Sequence, residues 1–88
     1  MRYWVIGFDI PSDEVRNRLG KELLKFGIRT QKSFFEVEGD NRTLEIMIRR
    51  IKRIMEGEEG VVTLYTVDKR KIERFGDVDY LTVDDLIF

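Results

Sequence analysis

Residues 2–9 of this 88-residue chain, Arg-Tyr-Trp-Val-Ile-Gly-Phe-Asp, constrain the fold most, because apolar side chains fall on both alternations of an extended backbone. Trp4, Ile6 and Phe8 point one way and Tyr3 and Val5 the other, the pattern of a central strand covered over most of both faces. The run closes on Asp9 and is followed at once by Pro11-Ser12-Asp13-Glu14, a helix start. A carboxylate at the carboxyl end of a buried strand stands where open α/β sheets place ligands, and its oxygens suit a hard cation. Capping the next helix is the competing role for the same residue.

The remaining pattern supplies the layers around that strand. Ser12 or Asp13 caps a first helix with the stripe Val15, Leu19, Leu23 and Phe26, and Gly27 is the expected stop. Leu24 falls outside the stripe and hints at a second buried surface. Residues 29–38 form an extended stretch ended by Gly39-Asp40, and periodicity leaves open whether it is one strand or two. A second helix is expected from Thr43 to Met55, with Leu44, Met47, Ile48, Ile51, Ile54 and Met55 at helical spacing. Arg49, Arg50 and Arg53 take its far side, with Ile46 among them. Gly57 and Gly60 bracket an acidic turn before a strand at residues 61–67. With the middle stretch read as a pair, the order is the split βαβ arrangement, an α+β, ferredoxin-like βαββαβ sandwich forming one domain over residues 1–88. A charged loop, an extended segment at 78–83 and the apolar end Leu86-Ile87-Phe88 follow.

Composition narrows the chemistry. The chain has no cysteine and no histidine, which excludes disulfide frameworks, thiolate metal sites and histidine-based acid–base catalysis. Hydrolysis would therefore call for a metal-generated nucleophile. Net charge is only −1, but it is unevenly spread: residues 16–25 carry Arg16, Arg18, Lys21 and Lys25 against Glu22 alone, and residues 42–53 carry five basic groups against Glu45. Residues 54–88 reverse the balance, with nine acidic and four basic side chains. Basic helices and an acidic last third suit a phosphate-binding face and a separate protein-contact region. No segment approaches the roughly 20 apolar residues of a membrane span, and the N-terminus enters a strand directly, so a cytoplasmic protein is expected. A core this small favours association, and a homodimer is expected.

Several short motifs taken together carry a family resemblance: Phe8-Asp9-Ile10 after the first strand, Arg16-Asn17-Arg18 in the first helix, Lys25-Phe26-Gly27 at its end, and Gln31-Lys32-Ser33-Phe34-Phe35-Glu36. In order and spacing, over roughly residues 1–67, the chain resembles the CRISPR-associated protein 2 family. The resemblance implies a ferredoxin-like homodimer of the spacer-acquisition machinery, with a pair of strands in the middle stretch. It implies a fifth strand in the extension at residues 78–88 that adds to the partner subunit's sheet. It further implies Mg²⁺, or Mn²⁺ in its place, bound near Asp9, and metal-dependent endonuclease activity on RNA or DNA. By position Asp9 would be the metal ligand, with Arg16, Arg18, Arg29 and Phe35 around the cleft. The structural role that comes with the family is a dimer bridging two copies of the CRISPR-associated protein 1 integrase around a DNA duplex. Phe8 stands where the family often has tyrosine, so no hydroxyl is offered there.

Physical chemistry sharpens these roles. Mg²⁺ takes one or two carboxylates and completes its octahedron with waters and phosphate oxygens, so a twofold dimer could supply the second Asp9. Arg16 and Arg18 would neutralise phosphate charge, yet they lie about 200° apart on a helical wheel and cannot both face one cleft. Ser33, with no activating base, reads as a strand residue. Arg49, Arg50, Lys52 and Arg53 form a basic surface suited to duplex phosphates. The alternative is a non-catalytic nucleic-acid-binding ferredoxin-like module such as an RNA-recognition fold, whose glycine positions are missing around Phe34-Phe35.

Overall fold

The computed structural model describes residues 1–76. The elements run β1 (Arg2–Asp9), α1 (Asp13–Leu23), β2 (Gly27–Gln31), β3 (Phe34–Gly39), α2 (Asn41–Met55) and β4 (Val61–Val67), then a short 3₁₀ turn at Lys69–Lys71. The strands form one sheet in the order β2-β3-β1-β4, with every neighbouring pair antiparallel. The segment that was apolar on both alternations is thus an interior strand, paired with β3 on one side and β4 on the other. The middle stretch is two strands. Lys32 and Ser33 make the turn between them, so Ser33 is a turn residue rather than a strand residue, and its carbonyl accepts a bond from the Phe8 amide at 3.2 Å.

Local chemistry sets the helix ends. Ser12 Oγ accepts from the Val15 amide at 3.2 Å, with Asp13 and Glu14 in the first turn, where the dipole favours them. The helix ends at Leu23, short of the expected stop at Gly27. Its last carbonyls are satisfied by tight bonds from Lys25 to Glu22 (3.1 Å) and from Phe26 to Leu23 (2.9 Å), so no left-handed glycine is needed, and Gly27 opens β2 instead. Asp40 caps α2 through the Thr43 amide at 2.9 Å, and the helix begins two residues before Thr43 because its first turn is polar and invisible to hydrophobic periodicity.

Both helices lie on one face of the sheet. Trp4 and Ile6 of β1, Leu19 and Leu23 of α1, Phe35 and Val37 of β3 and Met47 of α2 are all 0% exposed, and Ile10 and Val15 join them. Pairings across the ladder explain the set: Trp4 faces Val37, and Ile6 faces Phe35. Each such side chain contributes about 1.5–3 kcal/mol of transfer free energy. Leu44, Ile51, Ile54 and Met55 pack against this core, and Leu24 remains about half exposed.

The opposite face carries Tyr3, Val5, Gly7 and Asp9 from β1, with Phe34, Glu36 and Glu38 from β3 and Val61, Thr63, Tyr65 and Val67 from β4 in register beside them. No helix covers it. Residues 68–74 cross its Tyr3 end: Lys69 reaches Glu38 at 3.6 Å and lies 5.2 Å from the Tyr3 ring centroid, and Arg74 pairs with Glu36. Glu36, 6% exposed, also accepts the Tyr3 hydroxyl at 2.6 Å. The expected strand at 78–83 and the partner-contacting extension at 78–88 lie outside the described residues.

Candidate functional site

Asp9 ends β1 opposite Val61 of β4, on the helix-free face, and is exposed. Its backbone is held from two sides. Gly60 packs so closely that a β-carbon there would stand 2.6 Å from the Asp9 carbonyl oxygen and 2.9 Å from the Ile10 α-carbon, and its φ of +113° suits only glycine. Arg16 reaches back from α1 and donates Nη1 to the carbonyls of Ile10 (2.6 Å) and Pro11 (3.1 Å), while pairing with Asp13. The loop that leaves Asp9 is therefore tied to α1, and the carboxylate projects from a fixed strand end.

The other residues expected around the cleft disperse. Arg18 points outward from α1 and pairs with Glu14 at 3.3 Å, on a different side of the helix from Arg16. Arg29 and Phe35 lie on the helix-covered face, the Arg29 guanidinium 5.0 Å from the Phe35 ring centroid, and the Phe8 ring stacks against Phe35 at 6.0 Å. A β-carbon at Gly20 would stand 3.3 Å from Arg29 Nη2 and 3.7 Å from Phe35, so a helix-interior glycine makes room for this stack. The Arg29 Nε is buried without a hydrogen-bond partner among the described residues. Phe35, fully buried, offers no ring face to a base; it is a core residue beneath α1. The structure thus brings Arg16 to the loop that follows Asp9, and engages Arg18, Arg29 and Phe35 elsewhere.

Asp9 is the carboxylate that β1 itself places at its end, and no group of three or more His, Cys, Asp or Glu side chains able to hold a metal occurs among the described residues. A lone aspartate matches the donor chemistry of Mg²⁺ only when a second carboxylate or phosphate oxygens complete the shell.

The second basic surface is on α2, where Arg49, Arg50, Lys52 and Arg53 are all exposed. A shallow depression there is lined by Arg42, Glu45, Ile46, Arg49, Arg50 and Arg53. Arg50 Nη1 bonds Glu22 Oε1 of α1 at 2.6 Å, and Lys25 takes the other oxygen at 3.0 Å. Lys25 first and Arg50 second hold the Glu22 carboxyl below its ordinary range. Arg42 and Glu22 were not singled out from the sequence; the spacing of Arg42 seven residues before Arg49 is the signal for the first, and the tie between Glu22 and Arg50 needs the fold.

An antiparallel sheet built in the order βαββαβ with both helices on one face defines a ferredoxin-like protein, here with a carboxylate at the end of β1. The family model described as CRISPR associated protein Cas2 matches residues 1–75, and the chain belongs to that family. CRISPR-associated endoribonuclease Cas2 2 of Pyrobaculum aerophilum is 36% identical over 72 residues, covering 81% of this chain and 79% of that protein. The crystal structure of a hypothetical protein from Thermus thermophilus matches with a TM-score of 0.80 at 33% identity, covering 89% of this chain and 94% of the other. A chain of a partial Cas6-RT-Cas1–Cas2 complex matches with a TM-score of 0.64, also at 33% identity, covering 88% and 90% of the two chains. No helix among the described residues is long and apolar enough to cross a membrane.

Proposed function

We propose that this protein is a CRISPR spacer-acquisition component that works as a homodimer, bridges two copies of the Cas1 integrase on a DNA duplex, and carries a metal-dependent nuclease centre at Asp9. The observation that carries the reading is family membership over residues 1–75, supported by a matching chain in a Cas1–Cas2 complex and by a relative named an endoribonuclease. The helix-free sheet face supports the dimer: Phe34, Tyr65 and Val61 are 39%, 54% and 56% exposed there, beside a strand whose sequence asks for cover on both sides. A second copy on this face would bring a second Asp9 into the same neighbourhood.

Asp9 and its symmetry mate would hold Mg²⁺ or Mn²⁺, which when bound supplies an activated water for attack on a phosphodiester of RNA or DNA. The chain's own part is positional: Gly60 and Arg16 fix the strand end, and the Asp9 carboxylate faces away from the core. That no cluster of three or more metal-ligating side chains occurs among the described residues favours a second reading, a non-catalytic nucleic-acid-binding module, and one assay separates the two. Purified protein and Asp9→Ala are incubated with RNA and with duplex DNA, with Mg²⁺ or with a chelator. Cleavage that needs both the metal and Asp9 supports the nuclease; metal-independent cleavage, or cleavage undiminished in Asp9→Ala, removes it and leaves the bridging role standing.

A further inference from the structure

We propose that Arg42, Arg49 and Arg53 form a phosphate-backbone ridge along α2, and that Arg50 is not part of it but braces the helix through Glu22. The inference rests on the reading that the protein handles a DNA duplex, and assigns which residues touch it. At about 100° per residue, Arg42, Arg49 and Arg53 fall within about 40° of one another around the helix, on the side turned away from buried Met47. They span roughly 16 Å of axis, three guanidinium groups in a row. All three are exposed, and none forms an ion pair within the described residues.

Arg50 stands about 80° round from this row, toward α1, and its guanidinium is engaged by Glu22 at 2.6 Å. Lys52 stands about as far round on the opposite flank. Ile46, half-buried between the arginines, offers an apolar contact of the kind a sugar ring makes, and Glu45 is the one carboxylate bordering the depression. A straight row of unpaired guanidiniums complements a polyphosphate backbone, since the planar fork matches phosphate oxygens bidentately and reads no base sequence. The first turn of α2 contains no acidic residue, and the carboxylate just before it, Asp40, is engaged in capping the Thr43 amide.

The test is the salt dependence of affinity for a mixed-sequence DNA duplex, measured on the full chain. Arg42→Gln, Arg49→Gln and Arg53→Gln should each flatten the plot of log affinity against log salt by about 0.9, or by twice that where both protomers of a dimer engage one duplex. The paired change Glu22→Gln with Arg50→Gln, which leaves net charge unchanged, should leave the slope as in the parent. Arg49→Lys should keep the slope and lose affinity, which excludes a folding defect as the cause. Parent-like slopes for the three glutamine variants, or a flattening by the Glu22/Arg50 pair equal to theirs, would overturn the ridge while leaving duplex binding intact. Parent protein that binds no duplex at low salt would overturn both the ridge and the bridging reading. Ridge variants with unchanged duplex binding but lost co-elution with Cas1 would reassign the row to a protein contact.

Discussion

The two faces of the sheet use the same strand differently. On the helix side Trp4, Ile6, Phe35 and Val37 are sealed completely, whereas on the other side Phe34, Tyr65 and Val61 are 39–56% exposed, and among the described residues it is the Tyr3 end that residues 68–74 cross. Among the described residues one face is therefore sealed and the other stays largely open, which is the face the proposed dimer would use. The contrast separates the side chains that make the domain fold from those that the proposed assembly would use.

The contrast should break most visibly with Phe35→Ala. Emptying a fully buried aromatic site should cost about 3–5 kcal/mol in urea unfolding, and Tyr65→Ala, measured under conditions where association is absent, should stay within about 0.5 kcal/mol of the parent. Equal losses would mean that the open face is structural in its own right.

Phe34→Asp together with Tyr65→Asp should convert a dimer to a monomer by light scattering while the circular dichroism spectrum is retained. A variant that stays dimeric would place the interface elsewhere. Gly7→Ala probes the same face more gently: a β-carbon there meets Phe34 Cε1 at 2.9 Å, so the ring must swing away from the sheet. Because Phe34 is partly exposed and free to yield, stability should fall by no more than about 1 kcal/mol, with the loss appearing mainly in association.

The smallest effect concerns the tie between helices. The Glu22 carboxyl is a stronger acid in the folded protein than its unfolded value of about 4.3, so its contribution is complete above that pH and fades as pH falls through the lower folded value. Glu22→Gln should remove this acid-limb dependence in thermal melts followed from neutral pH to about 3, with little change at pH 7. An unaltered acid limb would assign it to other carboxylates such as Asp40 and Asp68, whose carboxyls are also lowered, by bonds from Thr43 and Arg70 respectively.

Elements governed by local period or by capping chemistry were legible in advance. The double alternation of residues 2–9 located the interior strand, and Ser12 and the 61–67 run fell where expected. The division at Lys32-Ser33 was not, because no residue there demands a positive φ and both halves read as extended. At the site, the position of Asp9 could be read from the end of the apolar run, whereas the inward turn of Arg29 over Phe35 could not. A charged residue on an edge strand ordinarily faces water, and the space that Gly20 leaves in α1 is visible only once the helix lies on the sheet.

Gly60 has a consequence for how damage would propagate through this protein. It belongs to the turn between α2 and β4, fifty-one positions from Asp9 along the chain, yet its backbone is the backstop against which Asp9 and Ile10 rest. Any side chain there must push the acidic strand end outward or lever β4 off its neighbour, since the clash is with main-chain atoms that have no rotamer to change. If Asp9 carries the proposed nuclease centre, a screen for lost cleavage would recover substitutions at position 60 alongside those at position 9, although residue 60 has no side-chain functional group of its own.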